Sequence, residues 1–119
     1  MPEATALDPE DAKLVTLARA VRVRLGAAEG AAVRDETGRT YVAASVALAS
    51  LSLTAAEAAV AAAVSSGASV LEGAAVVTDS PGEPRRDVAV LRELAGKGAL
   101  LVVAGADGTV ATSVPIGPA

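Results

Sequence analysis

The chain contains no phenylalanine or tryptophan and a single tyrosine, so any interior it builds must be filled by alanine, valine and leucine. Aromatic side chains bury the largest areas, and stabilisation follows buried apolar area at about 25 cal/mol per Å². With 52% apolar residues in 119 positions the chain can form one core, but small side chains make a marginal monomer. A single domain over residues 1–119, with its core at about 8–114, is expected, and association with further copies would stabilise it.

Cysteine and histidine are both absent. Their absence removes disulfides, thiolate and imidazole metal ligands, cysteine nucleophiles and the side chain most used for proton transfer near neutral pH. A net charge of −4 argues against nucleic-acid binding, which needs clustered Lys and Arg. Met1 to Glu10 carries acids and prolines in place of a basic segment and an apolar run, and no stretch is long and apolar enough for a membrane span. A cytoplasmic protein with no membrane contact is expected.

Asp8-Pro9-Glu10-Asp11 supplies an N-cap, a proline at the first helical position and acids in the first turn. Leu14, Val15, Leu17, Ala18, Val21 and Leu25 continue at helical spacing to a stop at Gly26, and Arg19, Arg22 and Arg24 read as a solvated face. Gly30 to Val46 reads as a hairpin turning on Asp35-Glu36-Thr37-Gly38. Thr54-Ala55-Ala56-Glu57 has the form of a capping box, opening an alanine-rich helix to Val64 that is apolar nearly all round. A strand over Val70–Thr78, a loop over 79–84, a third helix through Val88, Val90, Leu91 and Leu94 to Gly96, and strands over Ala99–Val103 and Thr109–Val114 follow, with a frayed tail from Pro115. Helices between the later strands predict a partly parallel sheet, hence an α/β fold: a three-layer α/β/α sandwich around a mixed five-stranded sheet.

Three segments, in order, carry a resemblance. Gly30-Ala31-Ala32-Val33 with Thr37-Gly38-Arg39, the run Val46 to Thr54 entering Ala55-Ala56-Glu57, and Pro81-Gly82-Glu83-Pro84-Arg85-Arg86-Asp87-Val88 resemble the first hairpin, the Cys-Ala-Glu segment and the Pro-Cys-x-x-Cys segment of the cytidine deaminases. The resemblance spans roughly residues 10–114 and implies that family's sandwich, commonly assembled as dimers or tetramers. In the family, cysteines or a histidine with cysteines hold zinc, and the glutamate shuttles protons. Aligned this way, Ala55, Gly82 and Arg85 fall at the three ligand positions, none with a suitable donor. Ser45-Val46-Ala47 replaces the ribose-contacting Asn-x-Glu, and Leu51 replaces a tyrosine. Glu57 aligns with the catalytic glutamate, although a capping-box role accounts for it without chemistry.

The expectation is a catalytically inactive cytidine-deaminase-like protein, with no zinc or other cofactor, serving as a structural, regulatory or ligand-binding subunit. It is expected to form a homo-oligomer or to join another protein. The alternative is a nucleoside or related deaminase or hydrolase acting with an unrecognised site, such as one built on carboxylates, or with a residue from a partner chain. Ser45, Glu57, Arg85 and Arg86 are the candidate cleft residues, and an anion at the arginine-bearing helix start is one ligand class to weigh. If the starts of the second and third helices converge as in the family, Arg85 is expected to point at Glu57, with Arg86 taking that part if the alignment is shifted by one; a surface position for both is the plain alternative. Asp79, Glu83 and Asp87 read as turn and cap residues before they read as cation ligands. Gly96-Lys97-Gly98 follows a helix, so it reads as a helix stop and not a phosphate loop.

Overall fold

A computed structural model describes residues 7–119; Met1–Ala6, part of the acid- and proline-bearing start, lie outside the described residues. Helix α1 (Pro9–Leu25) starts where the Asp8 carboxylate accepts the Glu10 N–H at 2.8 Å, and ends at Gly26, whose φ of +61° suits a residue without a Cβ. Strands β1 (Glu29–Asp35) and β2 (Thr40–Ala44) form the expected hairpin. The strand expected to run through Val46 breaks at Ser45. Val46–Ala47 (β3) turns away to pair with Ser52–Leu53 (β4) as a two-stranded ribbon. Helix α2 (Ala55–Ser65) opens with a complete capping box: the Thr54 hydroxyl accepts the Glu57 N–H at 3.1 Å, and the Glu57 carboxylate accepts the Thr54 N–H at 2.8 Å.

Strand β5 (Leu71–Thr78), helix α3 (Val88–Leu94), β6 (Leu100–Ala104) and β7 (Val110–Pro115) complete the order. The main sheet runs β2-β1-β5-β6-β7, parallel only between β5 and β6, where α3 makes the crossover. This is the three-layer α/β/α sandwich with a mixed five-stranded sheet that the sequence predicts. Helix α1 packs Leu14, Val15 and Ala18 onto Ala32, Ala75, Val77, Val102 and Ala104 on one face. On the other face α2 and α3 cover Ala31, Val33, Tyr41, Val76, Leu101 and Val103. Small residues let the layers close tightly. A Cβ at Gly30 would stand 2.1 Å from the Ala18 carbonyl oxygen, so β1 passes under α1 only as glycine.

Three expectations need correction. The third helix begins at Val88, after Arg85 and Arg86, and closes at Leu94 instead of Gly96, because Ala95 bridges to Leu71 and the Gly96 N–H donates to the Leu71 carbonyl at 2.8 Å. The tail is held past Pro115: Ile116 is buried, its N–H donates to Ala99, and Gly117 passes so close to Gly96 that a Cβ would sit 1.8 Å from the Gly96 oxygen. Of the α1 arginines expected on a solvated face, Arg19 and Arg24 are exposed, Arg19 donating to the Ala106 carbonyl at 3.1 Å, but Arg22 is partly buried, pairing with Asp79 and donating to the Ala28 carbonyl.

Tyr41 is buried with its hydroxyl donating to Asp35 at 2.8 Å, while the other Asp35 oxygen accepts from the Thr37 hydroxyl and the Thr37 and Arg39 N–H groups at 2.7 to 3.0 Å. The Thr37 hydroxyl bond leads in stabilising the charged form. Burial opposes it, and the bonds from Tyr41 and the backbone complete a fall from the ordinary 3.8 to about 2. A lowered folded pKa means a contribution that is full above about pH 4 and fades as pH falls toward 2. Acid unfolding of Asp35→Asn, followed by circular dichroism, is therefore expected to show a shallower loss of stability across that window than the parent protein, which starts from higher stability at neutral pH.

Candidate functional site

The break at Ser45 makes a cleft. Turning β3 and β4 away from the sheet opens a hollow of about 490 Å³, walled by that ribbon, by Glu29 at the start of β1, by Thr54 at the start of α2, and by the 78–87 segment leading into α3. Ser45 lies at its base, where its hydroxyl accepts the Glu29 N–H at 3.3 Å.

Arg85 dominates the cleft wall. Its side chain is 12% exposed, and four of its N–H groups are taken by two carboxylates. Nη1 and Nη2 grip the two Glu29 oxygens at 3.0 and 2.9 Å; Nε and Nη2 grip the two Asp87 oxygens at 3.0 and 2.9 Å. Both contacts have the bidentate fork geometry for which a guanidinium is preorganised. Burial works against the charge on Arg85, but the hydrogen bonds and charges of Glu29 and Asp87 prevail and raise its pKa further. The Asp87 side chain is 1% exposed. Burial pushes its carboxyl up, yet Arg85 and a hydrogen bond with the Thr54 hydroxyl hold it below the usual carboxylate range. Asp87 occupies the N-cap position of α3 without capping it, because its oxygens are committed to Arg85.

Arg85 therefore does not point at Glu57. Arg86 does, with Nη2 donating to the Glu57 oxygen at 3.2 Å, as expected for an alignment shifted by one. This pair is open to water, Arg86 being 66% and Glu57 26% exposed. Ser45, Arg85 and Arg86 line the cleft, whereas Glu57 reaches it only through Arg86 and Thr54. Ala55 is fully buried in the apolar core, and Gly82 borders a different hollow, between its own loop, α3 and the outer strands β6 and β7. Glu29 escaped sequence reasoning altogether. Arg85 and Asp87 are two positions apart and could have been paired on sight, but Glu29 is brought in from 56 residues away by the pairing of β1 with β5.

Residues 7–108 match the sequence profile described as cytidine deaminase-like. The chain belongs to this family. No match was found among curated protein sequences. Among solved structures, cytidine deaminase from Burkholderia pseudomallei superposes with a TM-score of 0.73 at 23% identity, over 87% of this chain and 91% of that one. A mutant cytidine deaminase from Mycobacterium tuberculosis gives 0.64 at 27% identity, over 81% and 85%, and cytidine deaminase from Mycobacterium leprae gives 0.66 at 21%, over 87% and 91%. These likenesses establish the fold.

The donors at the cleft do not suit the family's zinc. A cation already sits between the two buried carboxylates, Ala55 and Gly82 offer no side-chain donor, and among the described residues no group of three or more Asp or Glu is placed to hold a metal ion. No helix among the described residues is long and apolar enough to cross a membrane.

An exposed ion pair contributes about 0–1 kcal/mol. Arg86→Ala is accordingly expected to lower stability by no more than about 1 kcal/mol in denaturant unfolding. Thr54→Ala, which removes the α2 cap, is expected to cost more, about 1–2 kcal/mol.

Proposed function

We propose that this is a cytidine deaminase-like domain without zinc-dependent deaminase activity, acting as a structural, regulatory or ligand-binding subunit. The observation that carries the reading is the guanidinium of Arg85 locked between Glu29 and Asp87 in the cleft wall, so that the acids there are already met by a cation. Hydrolytic deamination needs an activated water held by an ion with an open coordination position. Arginine can neither bind that water as a Lewis acid nor give up its proton near neutral pH. Glu57, aligned with the proton-shuttling glutamate, is occupied by the Thr54 N–H and Arg86. A capping role accounts for it fully.

The cleft also bears on ligand class. Its arginines are already neutralised, Arg85 by Glu29 and Asp87 and Arg86 by Glu57, and Glu83 adds an acid to the lining. An anion at this place would meet a surplus of negative charge, so a neutral or cationic ligand fits better than the anion weighed from sequence.

Self-association belongs to the same reading. Helix α2 turns Ala61, Ala62 and Val64 outward, Val64 at 49% exposure, and the turn joining β3 to β4 exposes Leu48 and Leu51 at 63% and 48%. Exposed apolar groups of this kind are suited to burial against another chain.

Two measurements test these statements. Elemental analysis with an absorbance assay on cytidine and deoxycytidine is expected to find no stoichiometric zinc and no turnover; one zinc per chain, with turnover abolished by Glu57→Gln, would overturn the reading. Light scattering behind a sizing column at micromolar concentration is expected to give a dimer or tetramer, shifted toward monomer by Leu48→Glu with Val64→Glu. A clean monomer would defeat the oligomer.

A further inference from the structure

Separate parts of the chain meet around Arg85. Glu29 opens β1 and Asp87 stands before α3, while the neighbouring Arg86 reaches Glu57 in the first turn of α2. Thr54 is locked to Glu57 by the capping box, and Glu57 to Arg86, so the contacts form one continuous chain of polar groups around the cleft. The cleft is where the apolar core gives out, since the loop from Asp79 to Arg86 contributes no residue to either apolar cluster. Something other than core packing has to fix that loop against β1 and α2.

The charge count points the same way. One guanidinium faces two carboxylates, leaving a surplus negative charge close to the N-terminus of α2. Carboxylates near a helix N-terminus are stabilised by its dipole, so the surplus is tolerable there. Without Arg85, two carboxylates with side chains only 19% and 1% exposed would face each other uncompensated.

We infer that Arg85 is a built-in cation performing the structural part of a metal's work: it fastens the start of β1 to the 79–87 loop and makes the cleft's shape independent of any metal. The arrangement supplies fixed charge and fixed direction, four short hydrogen bonds in two planar forks, as an ion would through its ligands. It supplies no open coordination position. The inference concerns stability and stands apart from the proposed lack of deamination: turnover would overturn that reading and leave the clasp intact, while an energetically idle clasp would fall and leave the inactivity standing.

The test is a double-mutant cycle on Arg85→Met and Glu29→Gln in the full chain, read by denaturant unfolding at one protein concentration with the oligomeric state checked. Arg85→Met is expected to reduce the folding equilibrium constant roughly a hundredfold or more, and Glu29→Gln in the same chain is expected to restore part of that loss. Arg85→Lys, which keeps the charge but not the fork, is expected to fall between the parent and Arg85→Met. Exhaustive dialysis against a chelator is expected to leave the parent's unfolding midpoint unchanged. If Arg85→Met does not fold, the cycle is run with Arg85→Lys in its place under the same criterion. Strictly additive effects, an Arg85→Lys variant as stable as the parent, or a midpoint that falls on chelation would each overturn the inference.

Discussion

Burying a guanidinium beside the start of β1 is possible here because two carboxylates meet it with matched geometry, and much of the molecule's working end is organised by that meeting. Glu29 and Asp87 each present both oxygens to Arg85 at 2.9 to 3.0 Å, so charges that would be costly to desolvate singly satisfy one another. Replacing a buried ion pair with well-packed apolar side chains is often neutral or better for stability, so the triad is not explained as a source of net free energy. Its value is directional. A loop that adds no residue to either apolar cluster is held in one place relative to β1.

The rest of the sandwich follows different physics. The core is built of Ala, Val and Leu, and its contacts come from close approach instead of large side chains. Gly30 under Ala18 marks how near α1 comes to the sheet, and the alanines of α2 let that helix press equally close from the other side. Tyr41, the lone aromatic residue, brings a hydroxyl into this apolar setting, and Asp35 accepts it while also closing the β1–β2 turn. Acid, aromatic ring and turn therefore depend on one another. An Ala-rich core of this kind leaves apolar surface over, which is where the outward side of α2 and the exposed leucines between β3 and β4 enter.

Family membership in this protein rests on the profile and the fold. What is shared with cytidine deaminases is the family profile over residues 7–108 and the fold. The features that a zinc site needs are side chains on a few positions, and folds tolerate changes there as long as the vacated space is filled or satisfied. Ala55 has joined the core, and Arg85 has found two acids. A likeness of fold therefore coexists with a site of different character.

Most of the architecture could be read from the sequence because it is set by local signals. The Asp8 and Thr54 caps, the Gly26 stop and the turn at Asp35–Gly38 act within a few residues of themselves, and the apolar runs between them mark the strands. The absence of Cys and His, likewise, limits the chemistry whatever the fold. The site was only half legible. Arg85, Arg86, Glu57 and Ser45 could be named, but the partners could not be assigned, since an arginine takes the acid that the folded backbone brings within reach, and adjacent residues at the turn into α3 reach different acids. Strand pairing, decided by burial summed over the whole sheet, carries Glu29 to Arg85 across 56 residues and leaves Glu57 to Arg86. The sequence by itself determined the elements and the kinds of charge available; only the tertiary structure decided which charges meet, because that choice is made by long-range packing in which no single residue carries the signal.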